Sequence, residues 1–140
     1  MPDEQQAQQQ MQQYQQIQQQ MEQVEEFIEK VQSNIEEMEE TIGAIDELED
    51  QEVGSEILVP IGSGVFVTGE LKEKDKVVTN VGGEAFEKKD LDSAEDLIQN
   101  KKEEFEETKE ELHSTMQDLQ SQMQQIQQQI QQQRQGAAEE

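Results

Sequence analysis

The chain has 140 residues and carries 34 acidic against 10 basic side chains, a formal charge of −24. That balance argues against direct binding of nucleic acid, whose phosphates are held by Lys and Arg, and no apolar run reaches the ~18 residues that a membrane span needs. Leu, Ile, Val and Phe together supply 30 residues, near the level at which a highly charged chain fails to collapse, so a core of ordinary globular size is not expected.

The start, Met1-Pro2-Asp3-Glu4, has neither the basic nor the apolar region of a secretory leader, and a cytoplasmic location is expected. From there Tyr14, Ile17, Met21, Val24, Ile28, Val31, Ile35, Met38, Ile42 and Ile45 recur at spacings of three and four without a break, which is a heptad seam. The pattern predicts a coiled-coil helix over 1–53, with Phe27 and Leu48 widening the stripe and Gly54 as the stop. Gly43 inside it costs about 1 kcal/mol relative to Ala. Between Glu22 and Glu52 there are 13 acidic residues and a single Lys30, so successive turns repel, and Glu47, Glu49 and Asp50 face the unfavourable end of the helix dipole. At ~1 M salt the Debye length is about 3 Å, and the expectation is adaptation to a salt-rich cytoplasm such as that of a halophile.

Over 54–89 the period changes from 3.5 to 2. Ile57–Ile61 and Val65–Leu71 flank Gly62-Ser63-Gly64, and Lys76–Val81 and Glu84–Lys88 flank Gly82-Gly83; the reading is two successive β-hairpins. Ile57, Val59 and Ile61 share a face, as do Val65, Val67 and Leu71, and Val77 and Val81 supply a further one. Pro60 belongs at an edge or an irregular point. Isolated hairpins are marginal, so these apolar faces and unpaired edges predict pairing with other subunits in a closed barrel.

The second helix is predicted over 90–135, with 136–140 as a flexible tail. Asp92-Ser93-Ala94-Glu95 has the form of a capping box, and Leu91, Ile98, Phe105, Leu112, Leu119 and Ile126 follow seven apart. The companion row reads Ala94, Lys101 and Thr108 before turning apolar at Met116, Met123 and Ile130. Glutamine accounts for 28 residues, nearly all before position 24 or after 116; antiparallel pairing of the helices brings both Gln-rich ends together. The expected fold is therefore α+β, a long antiparallel two-helix coiled coil with two inserted β-hairpins that join an intersubunit β-barrel.

This organisation, with ILVPIGSGVFVTGEL at 57–71 and KVVTNVGGEAFEKKD at 76–90, resembles the archaeal prefoldin alpha subunit family across nearly the whole chain. Two hairpins rather than one are similar to the alpha type. The resemblance implies an ATP-independent holdase, a hexamer of two alpha and four prefoldin beta subunits, that grips unfolded client proteins with the coil tips and passes them to a group II chaperonin. The tips correspond here to Met11, Tyr14, Ile17 and Met21 on the first helix and Met116, Met123, Ile126 and Ile130 on the second. Independently, apolar side chains near a fraying coil end are exposed at little cost, and methionine adapts to many shapes.

No enzyme is expected. Cysteine is absent and His113 is the single histidine, which leaves neither a disulfide framework nor a thiolate or imidazole metal site. Gly62-Ser63-Gly64 precedes no helix or lysine that would make a phosphate loop. The many carboxylates lie on helix faces without an apolar pocket to raise a pKa and without a Ca²⁺ loop; no cofactor is expected. The rival reading is a structural coiled-coil scaffold in which the hairpins merely link two arms.

Overall fold

A computed structural model describes residues 2–138, in the order α1 (Pro2–Leu48), β1 (Glu56–Gly62), β2 (Val65–Glu70), β3 (Lys76–Gly82), β4 (Ala85–Asp90) and α2 (Leu91–Ala138). These elements make two compact units, one built from the chain up to Asn34 and from Phe105 onward, the other from Ile35–Glu104.

In the first unit α1 and α2 pair along their heptad seams. Val31, Leu119 and Ile126 are buried, and Tyr14, Ile17, Met21, Val24, Ile28, Phe105, Leu112, Met116, Met123 and Ile130 are half-buried. The cross-helix bonds run antiparallel: Lys109 Nζ donates to Gln32 Oε1 at 2.6 Å, Gln127 to the Tyr14 hydroxyl at 3.4 Å, and Gln10 to Gln129 at 3.4 Å. Towards the chain ends glutamine amides replace apolar side chains, and the longest of these contacts, Gln133 to Gln6 at 3.5 Å, is at the limit of a useful hydrogen bond. Phe27 does not widen the stripe; it is 57 % exposed, because its place in the heptad turns it away from α2.

The companion row on α2 also differs from expectation. Seven residues before Met116 stands Lys109, which is half-buried, whereas Thr108 is exposed. In the second unit the same interval leads to half-buried Lys102 while Lys101 is exposed. Both lysines lay their methylene stems along the seam and carry the ammonium across it: Lys102 Nζ lies 3.4 Å from Glu39 Oε1.

The second unit has its own small core. Ile45, Leu91 and Ala94 are buried together, with Leu48 and Val77 packed against them. Helix α1 ends at Leu48 rather than 53; its last turn holds no basic residue, and Glu47, Glu49 and Asp50 repel the helix's carbonyl end. Two turns follow, Asp50 N–H to Glu47 O at 3.1 Å and Gln51 N–H to Leu48 O at 3.2 Å. Gly54, at φ +92°, is not the helix stop; its N–H donates to Leu71 O at 2.7 Å, and Leu71 N–H donates to Ser55 O at 2.9 Å.

The hairpins are separate two-stranded antiparallel sheets, β1 with β2 and β3 with β4. The first turns through Ser63 and Gly64, both at positive φ (50° and 78°), the geometry that hairpin twist favours. The register slips between Pro60 and Gly62, so Pro60 sits at a bulge where its missing N–H is tolerated. The second hairpin turns at Gly83-Glu84, one residue beyond the Gly82-Gly83 expected, since the Asn80 side chain accepts from Gly82 N–H at 2.8 Å and donates to Gly83 O at 3.0 Å. Helix α2 is capped by Asp90, not by Asp92: the Ser93 amide donates to Asp90 Oδ1 at 2.7 Å. The helix then runs through Ala138, past the boundary expected at 135; of the expected tail, 139–140 lie outside the described residues.

Candidate functional site

Strand alternation divides the first hairpin into two apolar faces. Val59 opposes Val67, and Ile57 opposes Gly69; a Cβ on Gly69 would stand 3.6 Å from Ile57 Cγ1, which places them on one side. Leu58 opposes Thr68, and Pro60 opposes Phe66, on the other. Ile57, Val59, Ile61, Val65 and Val67 are exposed, and so are Leu58 and Phe66, which sequence reasoning did not single out. Leu71 lies beyond the end of β2, half-buried beside Ser55.

The second hairpin is different. Val77 is half-buried against Ile45, Leu91 and Ala94 and so docks the hairpin within its own unit, while Val81 is exposed. Its opposite face carries Val78 and Phe86, the latter 66 % exposed; each stands opposite a polar partner, Val78 across from Lys88 and Phe86 across from Asn80. The alternation of Val78, Asn80, Phe86 and Lys88 was the signal for this face. In both hairpins every strand is an edge strand, which leaves N–H and C=O groups open to another chain.

In the first unit the expected tip residues gather at two grooves. Met11, Tyr14 and Ile130 line one of about 440 Å³ with Gln127, Gln131 and Arg134; Met11 is 52 % exposed. Met21, Met116 and Met123 line another of about 530 Å³, together with Ile28 and with Glu22, Glu25, Glu29 and His113. Ile17 lines neither of these grooves, and Ile126 is buried in the seam. His113 is exposed on its helix, as expected, but it also borders the methionine groove. Its spacing of three from Met116 was the available signal, since such positions flank a seam.

The electrostatics is that of crowded carboxylates. Asp46 across the seam, then burial, and then Asp92, Asp96 and Glu49 raise the Glu95 carboxyl above its ordinary value. Conversely, hydrogen bonds from Ser93 hold Asp90 low, and Lys88, at 2.9 Å, does the same for Glu73. Among the described residues no group of three or more His, Asp or Glu is placed to hold a metal ion, and no helix is long and apolar enough to cross a membrane.

Residues 17–136 match the family model described as prefoldin subunit. Over 64 residues the chain is 38 % identical to prefoldin subunit alpha of Methanobrevibacter smithii, covering 46 % of this chain and 43 % of that protein. It is 34 % identical over 59 residues to prefoldin subunit alpha of Halobacterium salinarum, covering 42 % and 38 %. The chain thus spans less than half the length of these curated relatives. A cryo-EM structure of filamentous PFD from Methanocaldococcus jannaschii is similar in fold, with a TM-score of 0.75 at 19 % identity over 81 % of this chain and 93 % of that one.

Proposed function

Because this chain belongs to the prefoldin family, whose model matches residues 17–136, we propose that it is the alpha-type subunit of an ATP-independent holdase. The hairpins assemble it with shorter beta subunits, and the coil grooves hold unfolded chains for delivery to a group II chaperonin. The observation that carries the reading is the exposure of Ile57, Leu58, Val59, Val65, Phe66 and Val67 on two-stranded sheets. A free monomer would leave both that apolar surface and the strand edges in water, and association removes both. Methionine-lined grooves suit clients of no fixed shape.

The test is native mass and subunit composition of the complex from its own host, followed by suppression of aggregation of a chemically denatured protein without nucleotide. A complex with a shorter chain in excess that keeps the client soluble is expected. Assembly without client protection would leave the scaffold reading in place. Deleting the turns up to Met11 and from Ile126, which removes the groove at Met11 and Ile130 and spares the one at Met21 and Met116, should weaken protection but keep assembly.

The charge of −24 and the carboxylates crowding Glu95 support a further part of the proposal, that the chain is adapted to a salt-rich cytoplasm. Helix content and melting temperature by circular dichroism should rise from dilute buffer to ~1 M KCl, where screening shortens to about 3 Å. Identical melting at both ends of the titration would remove the adaptation but not the family assignment.

A further inference from the structure

The two grooves of the first unit that the expected tip residues line differ in charge. The one at Met11, Tyr14 and Ile130 is bordered by glutamines and Arg134, with no carboxylate among its described lining residues. The other has an apolar floor of Met21, Ile28, Met116 and Met123, all half-buried, and one edge made of Glu22, Glu25 and Glu29, all exposed. Among the described residues no lysine or arginine lines it. Residues three, four and seven apart share one helix face, so the three carboxylates form a row spanning roughly 10 Å at the helical rise of 1.5 Å per residue. That is about three residues of extended chain.

The geometry points to a client class: this groove receives unfolded segments in which a short apolar run is flanked by Lys or Arg. The inference rests on the holdase reading and adds a charge preference to it. The apolar run lies on the methionine floor, whose sulfur-bearing side chains reshape to fit it. The flanking cations meet the glutamate row. An anionic segment of equal hydrophobicity is rejected by the same row, so selectivity comes from repulsion as well as attraction. The neutral-to-basic groove around Arg134 has no such row and carries no such preference.

The assembled complex containing this chain tests the inference, at the lowest KCl concentration that preserves the full helix signal. Three fluorescein-labelled unstructured peptides share the same leucines and phenylalanines and differ only in their flanks, which are lysine, serine or glutamate. Anisotropy titrations should rank them lysine, serine, glutamate, with the lysine peptide about tenfold tighter than the serine peptide, as three exposed ion pairs of ordinary strength allow. The triple variant Glu22→Gln, Glu25→Gln, Glu29→Gln, close in shape and improved in helix charge balance, should erase that ratio and leave serine-peptide binding unchanged. Met116→Ala with Met123→Ala should weaken both.

Equal affinities for the three peptides, or an unchanged ratio in the glutamine variant, overturn the charge preference while leaving the holdase reading intact. Absence of binding by all three peptides, together with failure to protect a denatured protein, removes both.

Discussion

Glu95 shows how a single carboxylate reports the crowding around it. Its pKa lies above the ordinary 4.5 because Asp46 across the seam, then burial, and then Asp92, Asp96 and Glu49 all disfavour its charge. A raised carboxylate binds its proton more tightly folded than unfolded. The folded state is therefore favoured below the ordinary value and loses that advantage as pH rises through the raised one. Glu95→Gln should melt at a higher temperature than the parent at pH 7 in dilute buffer. The difference should shrink at ~1 M KCl and disappear in acid where the parent carboxyl is protonated; equal melting at pH 7 and low salt would sink the account. The excess of acids in this stretch was plain in the sequence. That Glu95 in particular faces Asp46 was not, because it depends on which turn of α2 meets which turn of α1.

At the scale of elements, the α1 seam from Tyr14 to Ile45 was legible throughout, since each apolar residue stands three or four from the next and each is buried or half-buried. On α2 the reading lost its frame in the middle. Lys102 and Lys109 occupy seam positions, and a search for apolar residues passes over them even though the seven-residue interval from Met116 is strict. Their amphipathic stems explain the placement, and polar seam residues hold register at a cost in stability. Lys109→Met should accordingly raise unfolding stability in urea by about 1 kcal/mol, the value of extra apolar burial at a half-buried position. It should also increase pairing between chains, detectable as a rise in sedimentation coefficient with concentration. A loss of stability would instead mean that the 2.6 Å bond to Gln32 outweighs the gain from burial. Hairpin existence and strand order were equally legible from the glycine turns. The second turn moved by one residue because the Asn80 side chain holds Gly82 and Gly83, a local competition that spacing does not reveal.

For the whole molecule, the proposed assembly and the folding of the helices should be separable, because the hairpins touch the small helical core through Val77 alone among the packed apolar side chains described. Val67, opposite Val59 on an exposed face, takes no part in that core. Val67→Asp should therefore abolish the complex in native mass measurements while circular dichroism retains the helix signal; a variant that still assembles would move the interface to the Leu58 and Phe66 side. The order of amino acids was enough for the two helices, the two hairpins and the antiparallel sense, because periods of 3.5 and 2 and glycine turns are local properties that neighbouring residues write directly. It took the folded chain to establish that Val77 docks inward, that Phe27 faces water, that Asp90 is the cap, and that Glu22, Glu25 and Glu29 edge a methionine groove. Those outcomes depend on bulges and on the rotation of one helix against the other, and a shift of a single residue in either reverses which side chain meets its neighbour and which meets solvent.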